Sequence, residues 1–215
     1  GPKQMKKFLK YELDKYLKGR SRETSKELPL ALNENQPYIC YSKGSVAFYA
    51  LKDYLGEDWV NSILRNFLKD FAYKGAPFPR AVDLVERFKK AAPPDKKYLI
   101  EDLFDTITFY DNRTDSVTMK RDGGKFKVVV KGHSKKMRAD ELGRESEVAV
   151  NDFIDIGLYD KNGNIIYLEK HRLHSGDNTV ELEVNSEPAK GGIDPINKLI
   201  DKVSDDNLVK VIEVK

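Results

Sequence analysis

Few side chains in this 215-residue chain are typed and spaced for chemistry. His171 and His174 make a His-x-x-His pair, which can ligate a metal from a helix or a loop, but on a strand residues three apart point to opposite faces. The pair lies in a stretch of alternating apolar residues, so it is read as strand, and no metal site is assigned to it or to His133. The carboxylates Asp152 and Asp155 share that spacing and that defect. Asp160, Asn162 and Asn164 around Gly163 offer the oxygen chemistry of a calcium loop without its later Glu, and a hairpin turn accounts for them. Cys40 has no nearby His and reads as a small buried residue, not a nucleophile. Gly-x-Ser-x-Gly, Walker and Rossmann patterns are absent. What stands out is Asn35-Gln36-Pro37-Tyr38-Ile39-Cys40-Tyr41-Ser42-Lys43-Gly44, polar and aromatic residues that lead straight into an apolar helix.

The elements that must hold this segment fall into two kinds. Up to about residue 104 the apolar residues recur at helical spacing, and from about 105 to 184 they alternate as in strands. Met5, Phe8, Leu9, Leu13, Tyr16 and Leu17 form the stripe of a first helix that Gly19 is placed to end. Its other face carries Lys3, Lys6, Lys7, Lys10, Lys15 and Lys18, read as a solvated face. Arg20 to Gln36 has no period and reads as a surface connection. A helix buried on most sides follows from Ser45 to Leu55, and another starts at Glu57-Asp58 with Trp59, Val60, Ile63, Leu64, Phe67, Leu68 and Phe71 as its stripe. Two shorter helices begin after Pro79 and after Pro93-Pro94, and the short connections imply antiparallel stacking.

In the second half, six or seven short alternating runs are separated by Gly123-Gly124, Asn162-Gly163 and Ser175-Gly176. Asn162-Gly163 between two apolar runs signals a hairpin whose turn residues both tolerate positive φ. This pattern fits an immunoglobulin-like antiparallel β-sandwich without a Cys-Trp-Cys signature. In the tail, Asp194-Pro195 reads as the cap and first turn of a helix carrying Leu199 and Ile200, and Asp205-Asp206-Asn207 as a turn. The expected fold is therefore α+β in two domains, with a helical bundle segment over 1–104 and the β-sandwich with its tail over 105–215.

Composition bounds the rest. With 40% hydrophobic residues the chain can bury one sizeable core or two small ones, and a single cysteine forms no internal bridge. Thirty-eight Lys+Arg against 35 Asp+Glu leave a net charge of +3, too small and too evenly spread to imply nucleic acid, so no nucleic-acid partner is expected. No apolar run reaches the ~20 residues of a membrane span. The Gly-Pro-Lys start, without Met or a leader segment, is read as that of an excised, soluble piece.

Tyr41-x-Lys43-Gly44, the apolar helix behind it, and the Leu55-Gly56-Glu57-Asp58 helix start resemble the catalytic domain of aminopeptidase N-like zinc metallopeptidases, the gluzincins. The stretches Phe67-Leu68 to Lys74 and Asp83-Leu84 to Phe88 look like the helices that follow in that family. Tyr11 to Leu17, Asp102 to Arg113 and Gly192 to Asp201 resemble runs of a bacterial subgroup fused to the permease of an ABC transporter. The resemblance covers nearly the whole chain, and it implies that Tyr41 donates its hydroxyl to an oxyanion formed from a peptide substrate. It also implies a parent with zinc, bound upstream through His-Glu-x-x-His, a motif missing here together with the Gly-rich substrate strand. The fragment alone is then expected to be inactive and without a cofactor. Its partners would be the upstream catalytic and membrane regions of the same polypeptide, in a bacterial cell membrane with this region facing solvent. The alternative is a non-catalytic binding or regulatory module of a membrane transporter.

Overall fold

The computed structural model describes residues 2–214. Gly1 and Lys215, the outer bounds of the two expected domains, and the side chain of Lys3 lie outside the described residues. The fold is α+β: helices occupy the first part of the chain and a mixed sheet the rest. Helix α1 spans Pro2–Arg20, α2 Gly44–Leu55, α3 Glu57–Phe71, α4 Ala81–Ala91 and α5 Lys97–Ile100. No helix among the described residues is long and apolar enough to cross a membrane.

The helices form where the apolar residues recur at helical spacing, and Asp83 caps the start of α4 by accepting from the Arg80 N–H. Glu57 and Asp58 place negative charge at the start of α3, and Gly56, with φ 96°, separates it from α2. Around Phe88 the rings of Trp59 and Phe104 stack at 5.7 and 5.9 Å, and Ala47, Ala50, Leu51 and Val85 close the helical core. The buried stripe of α1 is narrower than expected: Leu9, Leu13 and Tyr16 are inaccessible, while Phe8 is exposed.

By contact the chain divides into two compact units. One is helical and comprises 3–108 with 138–145; the other, a sheet unit, comprises 109–137 and 146–215 besides the first two residues. The excursion 138–145 is held in the helical unit by Arg138, which donates to Asp102 at 2.8 Å and pairs with Glu101 at 3.0 Å. The Glu27 backbone N–H reaches the Glu141 carbonyl there, and Lys26 pairs with the Glu141 carboxylate. No period marks that segment in the sequence.

The strands are β1 (Ile107–Asp122), β2 (Lys125–Ala139), β3 (Glu145–Val148), β4 (Asn151–Tyr159), β5 (Ile165–His174), β6 (Gly176–Val184), β7 (Lys190–Ile193) and β8 (Leu208–Glu213). They form one sheet in the order β3-β2-β1-β8-β7-β4-β5, with β6 also on β2. In the sheet unit this curls into an open half-barrel: β5 and β6 follow one another in the chain yet pair with different partners, Ile154 opposite His171 and Val130 opposite Val180. The ladder is mixed, because β8 returns parallel to β1, with Val117 opposite Val211. The ladders thus give a single curled sheet where an immunoglobulin-like sandwich of two antiparallel sheets is expected. Ile154, Ile156, Leu158, Val117, Val128 and Ile193 line its interior.

Two turns differ from their sequence reading for local reasons. At Asn162-Gly163 only Gly163 takes positive φ (79°). Asp160 organises the loop instead: its Oδ1 accepts from the N–H groups of Asn162 and Asn164, and its own N–H bonds the Asn164 carbonyl. Asp140 does the same for Leu142 and Arg144, with Gly143 at φ 81°. At Asp194-Pro195 no helix forms. Asp194 (φ 41°) accepts from the N–H groups of Lys198 and Leu199 and closes a buried turn. Burial raises its pKa well above the usual carboxylate range.

Candidate functional site

Tyr41 stands on a widened helical turn, Tyr38–Lys43, that runs without a break into α2. The Gly44 N–H reaches back five residues to the Ile39 carbonyl, the mark of a π turn. Ile39, Ser42 and Lys43 face inward, while Cys40 and Tyr41 face out. Cys40 is therefore exposed, a correction to its reading as a buried residue, and the cause is the phase of this turn. π turns are rare and frequently found at functional sites, and a second one spans Glu101–Asp105 ahead of β1.

The turn is anchored from below by Lys43, only 1% exposed. Its Nζ donates to the Thr106 carbonyl at 3.3 Å and lies 5.6 Å from the centre of the Tyr16 ring. Burial lowers its pKa from the ordinary 10.5 to about 8, against the opposing pull of Glu27. Glu27 is buried too, so the stretch from Arg20 to Gln36, read as a surface connection, supplies part of the interior. Glu27 accepts from the Tyr16 hydroxyl at 2.5 Å and from Arg20 Nε at 2.6 Å. Tyr38 stacks on Tyr16 at 6.0 Å, and both phenols are pushed up, by burial first and by neighbouring carboxylates second.

Tyr41 differs from both. It is 71% exposed, and its hydroxyl has no hydrogen-bond partner among the described residues. It stands at the edge of a cleft of about 370 Å³ within the helical unit. One wall is the last turns of α1 and the turn beyond, with Lys15, Lys18, Gly19 and Arg22; the other is Pro37, Tyr38, Tyr41 and Ser42. Gly19 lets the walls close at the base, since a Cβ there would sit 2.5 Å from the Tyr38 Cβ. Lys15 lies 3.9 Å from Glu12 and 5.2 Å from the Tyr11 ring centre, and neither Lys18 nor Arg22 has an ion pair among the described residues. A neutral phenol donor beside three cations can hold developing or resident negative charge.

The remaining residues singled out in the sequence are scattered and engaged. His133 Nδ1 is 2.8 Å from Asp177 Oδ1, and His171 Nε2 is 2.7 Å from the Tyr167 hydroxyl, with His174 exposed beyond it on β5. Asp152 accepts from Lys136 at 2.8 Å and from the Tyr110 hydroxyl at 2.9 Å. Asp155 pairs with Lys198 at 2.5 Å. Among the described residues no group of three or more His, Cys, Asp or Glu side chains is placed to hold a metal ion. Lys15 and Lys18 are exposed, as expected of a solvated face, and the cleft they border is not legible in the sequence because its other wall comes from Pro37 to Ser42. The usable signal is the sequence of cations at Lys15, Lys18 and Arg22 across the end of α1.

No protein-family model matches the chain, and no curated protein is similar to it at a significant level.

Proposed function

We propose that this chain is the C-terminal part of a bacterial zinc-aminopeptidase-like protein attached to the membrane-spanning part of an ABC transporter, and that Tyr41 stabilises the oxyanion formed when a peptide carbonyl is attacked. The supporting observation is the state of Tyr41: an exposed, unpartnered phenol held on a π turn whose base is fixed by buried Lys43. A phenol is a neutral donor at pH 7, and a donor fixed in advance stabilises developing charge without reorganising during the reaction. On this reading the metal ligands come from an upstream part of the same polypeptide, and the sheet unit corresponds to the β domain that follows the peptidase part in the family, here built as one curled sheet.

The test is aminopeptidase activity. The full parent polypeptide should release N-terminal residues from peptides, lose that activity to a chelator, and carry an upstream His-Glu-x-x-His. The 215-residue chain with added zinc should release none. A parent lacking the motif and inactive on peptides would leave the second reading, a binding module of a transporter, which the open basic cleft favours.

A further inference from the structure

We propose that the cleft beside Tyr41 binds an acidic peptide segment in extended form, its carboxylates held by Lys15, Lys18 and Arg22. The inference deepens the peptidase reading and rests on it for the choice of a peptide; the charge preference comes from the cleft itself.

Three observations carry it. First, the three cations lie on one side of the cleft, Lys15 and Lys18 about one turn apart near the end of α1 and Arg22 in the turn just beyond it, so positive charges follow one another along that wall. Alternate side chains of an extended peptide recur every ~6.6 Å on one face, so Glu or Asp at every second position presents a row of carboxylates to that wall. Second, Lys18 and Arg22 have no ion pair among the described residues, and Lys15 has only a 3.9 Å approach to Glu12. Binding an acid there breaks no strong internal bond. Third, the opposite wall is the face of Tyr38 with Pro37 and Tyr41. Flat apolar walls with charge along the rim suit a peptide's aliphatic and backbone parts, and about 370 Å³ lies within the ~300–1,000 Å³ of ligand pockets. A concave site with three cations is too confined for a bilayer surface and too short for the basic track of a nucleic acid.

The probe is a dye-labelled decapeptide with Glu at alternate positions, compared by fluorescence anisotropy with the same peptide carrying Gln, on the 215-residue chain at low salt. The Glu peptide should bind, with affinity falling as salt rises, and the Gln peptide should bind at least tenfold more weakly. Lys18→Glu with Arg22→Glu should abolish Glu-peptide binding while leaving the melting temperature unchanged, since neither side chain has an internal ion pair to lose. Lys6→Glu with Lys7→Glu, at the far end of α1, changes the net charge equally and should leave binding in place. Equal binding of the two peptides, displacement by single-stranded DNA at the peptide's own concentration, or full binding by the Lys18/Arg22 variant would each overturn the proposal. The readout involves no hydrolysis: an inactive parent would sink the peptidase reading alone, and an active parent whose chain ignores peptide charge would sink this inference alone.

Discussion

Lys43 and Tyr41 are two residues apart and have opposite fates: one is sealed in, the other is turned out. Side chains two apart on a helical turn point to nearly opposite sides, and burial makes Lys43 the more informative position for stability. Between about pH 8 and its ordinary 10.5, the unfolded chain holds a proton that folded Lys43 has released. The contribution of this site to stability therefore rises with pH across that window, and below pH 8 the buried ammonium carries a constant cost. Lys43→Met, of similar length and apolar, should stabilise the chain near pH 7 by about 1 kcal/mol or more, with the advantage shrinking as pH rises towards 10. Urea unfolding of both proteins at pH 7 and 9.5 measures this; an advantage that stays constant would mean Lys43 does not titrate in the window.

At the scale of elements, the contact of α1 with the Tyr38–Lys43 turn decides the width of the cleft. Alanine in place of a helical glycine ordinarily gains ~1 kcal/mol. At Gly19 the added Cβ would meet Tyr38 Cβ at 2.5 Å and Cγ at 2.6 Å, and Tyr38 is itself stacked on buried Tyr16. Overpacking of ~1–3 kcal/mol should win, so Gly19→Ala should lower the melting temperature by several degrees. A raised melting temperature would show that the walls give way freely. The same scale explains what sequence reading could reach. Helix stripes and the hairpin glycines are local, and they were readable; so in principle were Asp140 and Asp160, each three residues before a positive-φ glycine. The tail was not. Asp194-Pro195 has every local mark of a helix start, but the chain turns there in a left-handed conformation, and the segment is buried with Lys198 against Asp155. A pairing over some forty positions of sequence leaves no local trace.

For the molecule as a whole, composition allowed one or two cores, and among the described residues one cluster is helical around Phe88 and another lies in the curled sheet around Ile154. What composition hid is placement. A net charge of +3 argues against a basic surface on average, yet Lys15, Lys18 and Arg22 meet at one cleft, and burial of Lys43 takes another cation out of solvent. The candidate site was legible at Tyr41 and invisible at α1, because one helix face gains meaning only from what folds against it. The proposed role of the cleft rests on the Tyr41 hydroxyl, which has no hydrogen-bond partner among the described residues. The most direct measurement is turnover of the zinc-bearing parent carrying Tyr41→Phe, with zinc content measured on the same sample. Turnover should fall about 10²–10³-fold with zinc retained; turnover equal to that of the parent would contradict the assignment of Tyr41.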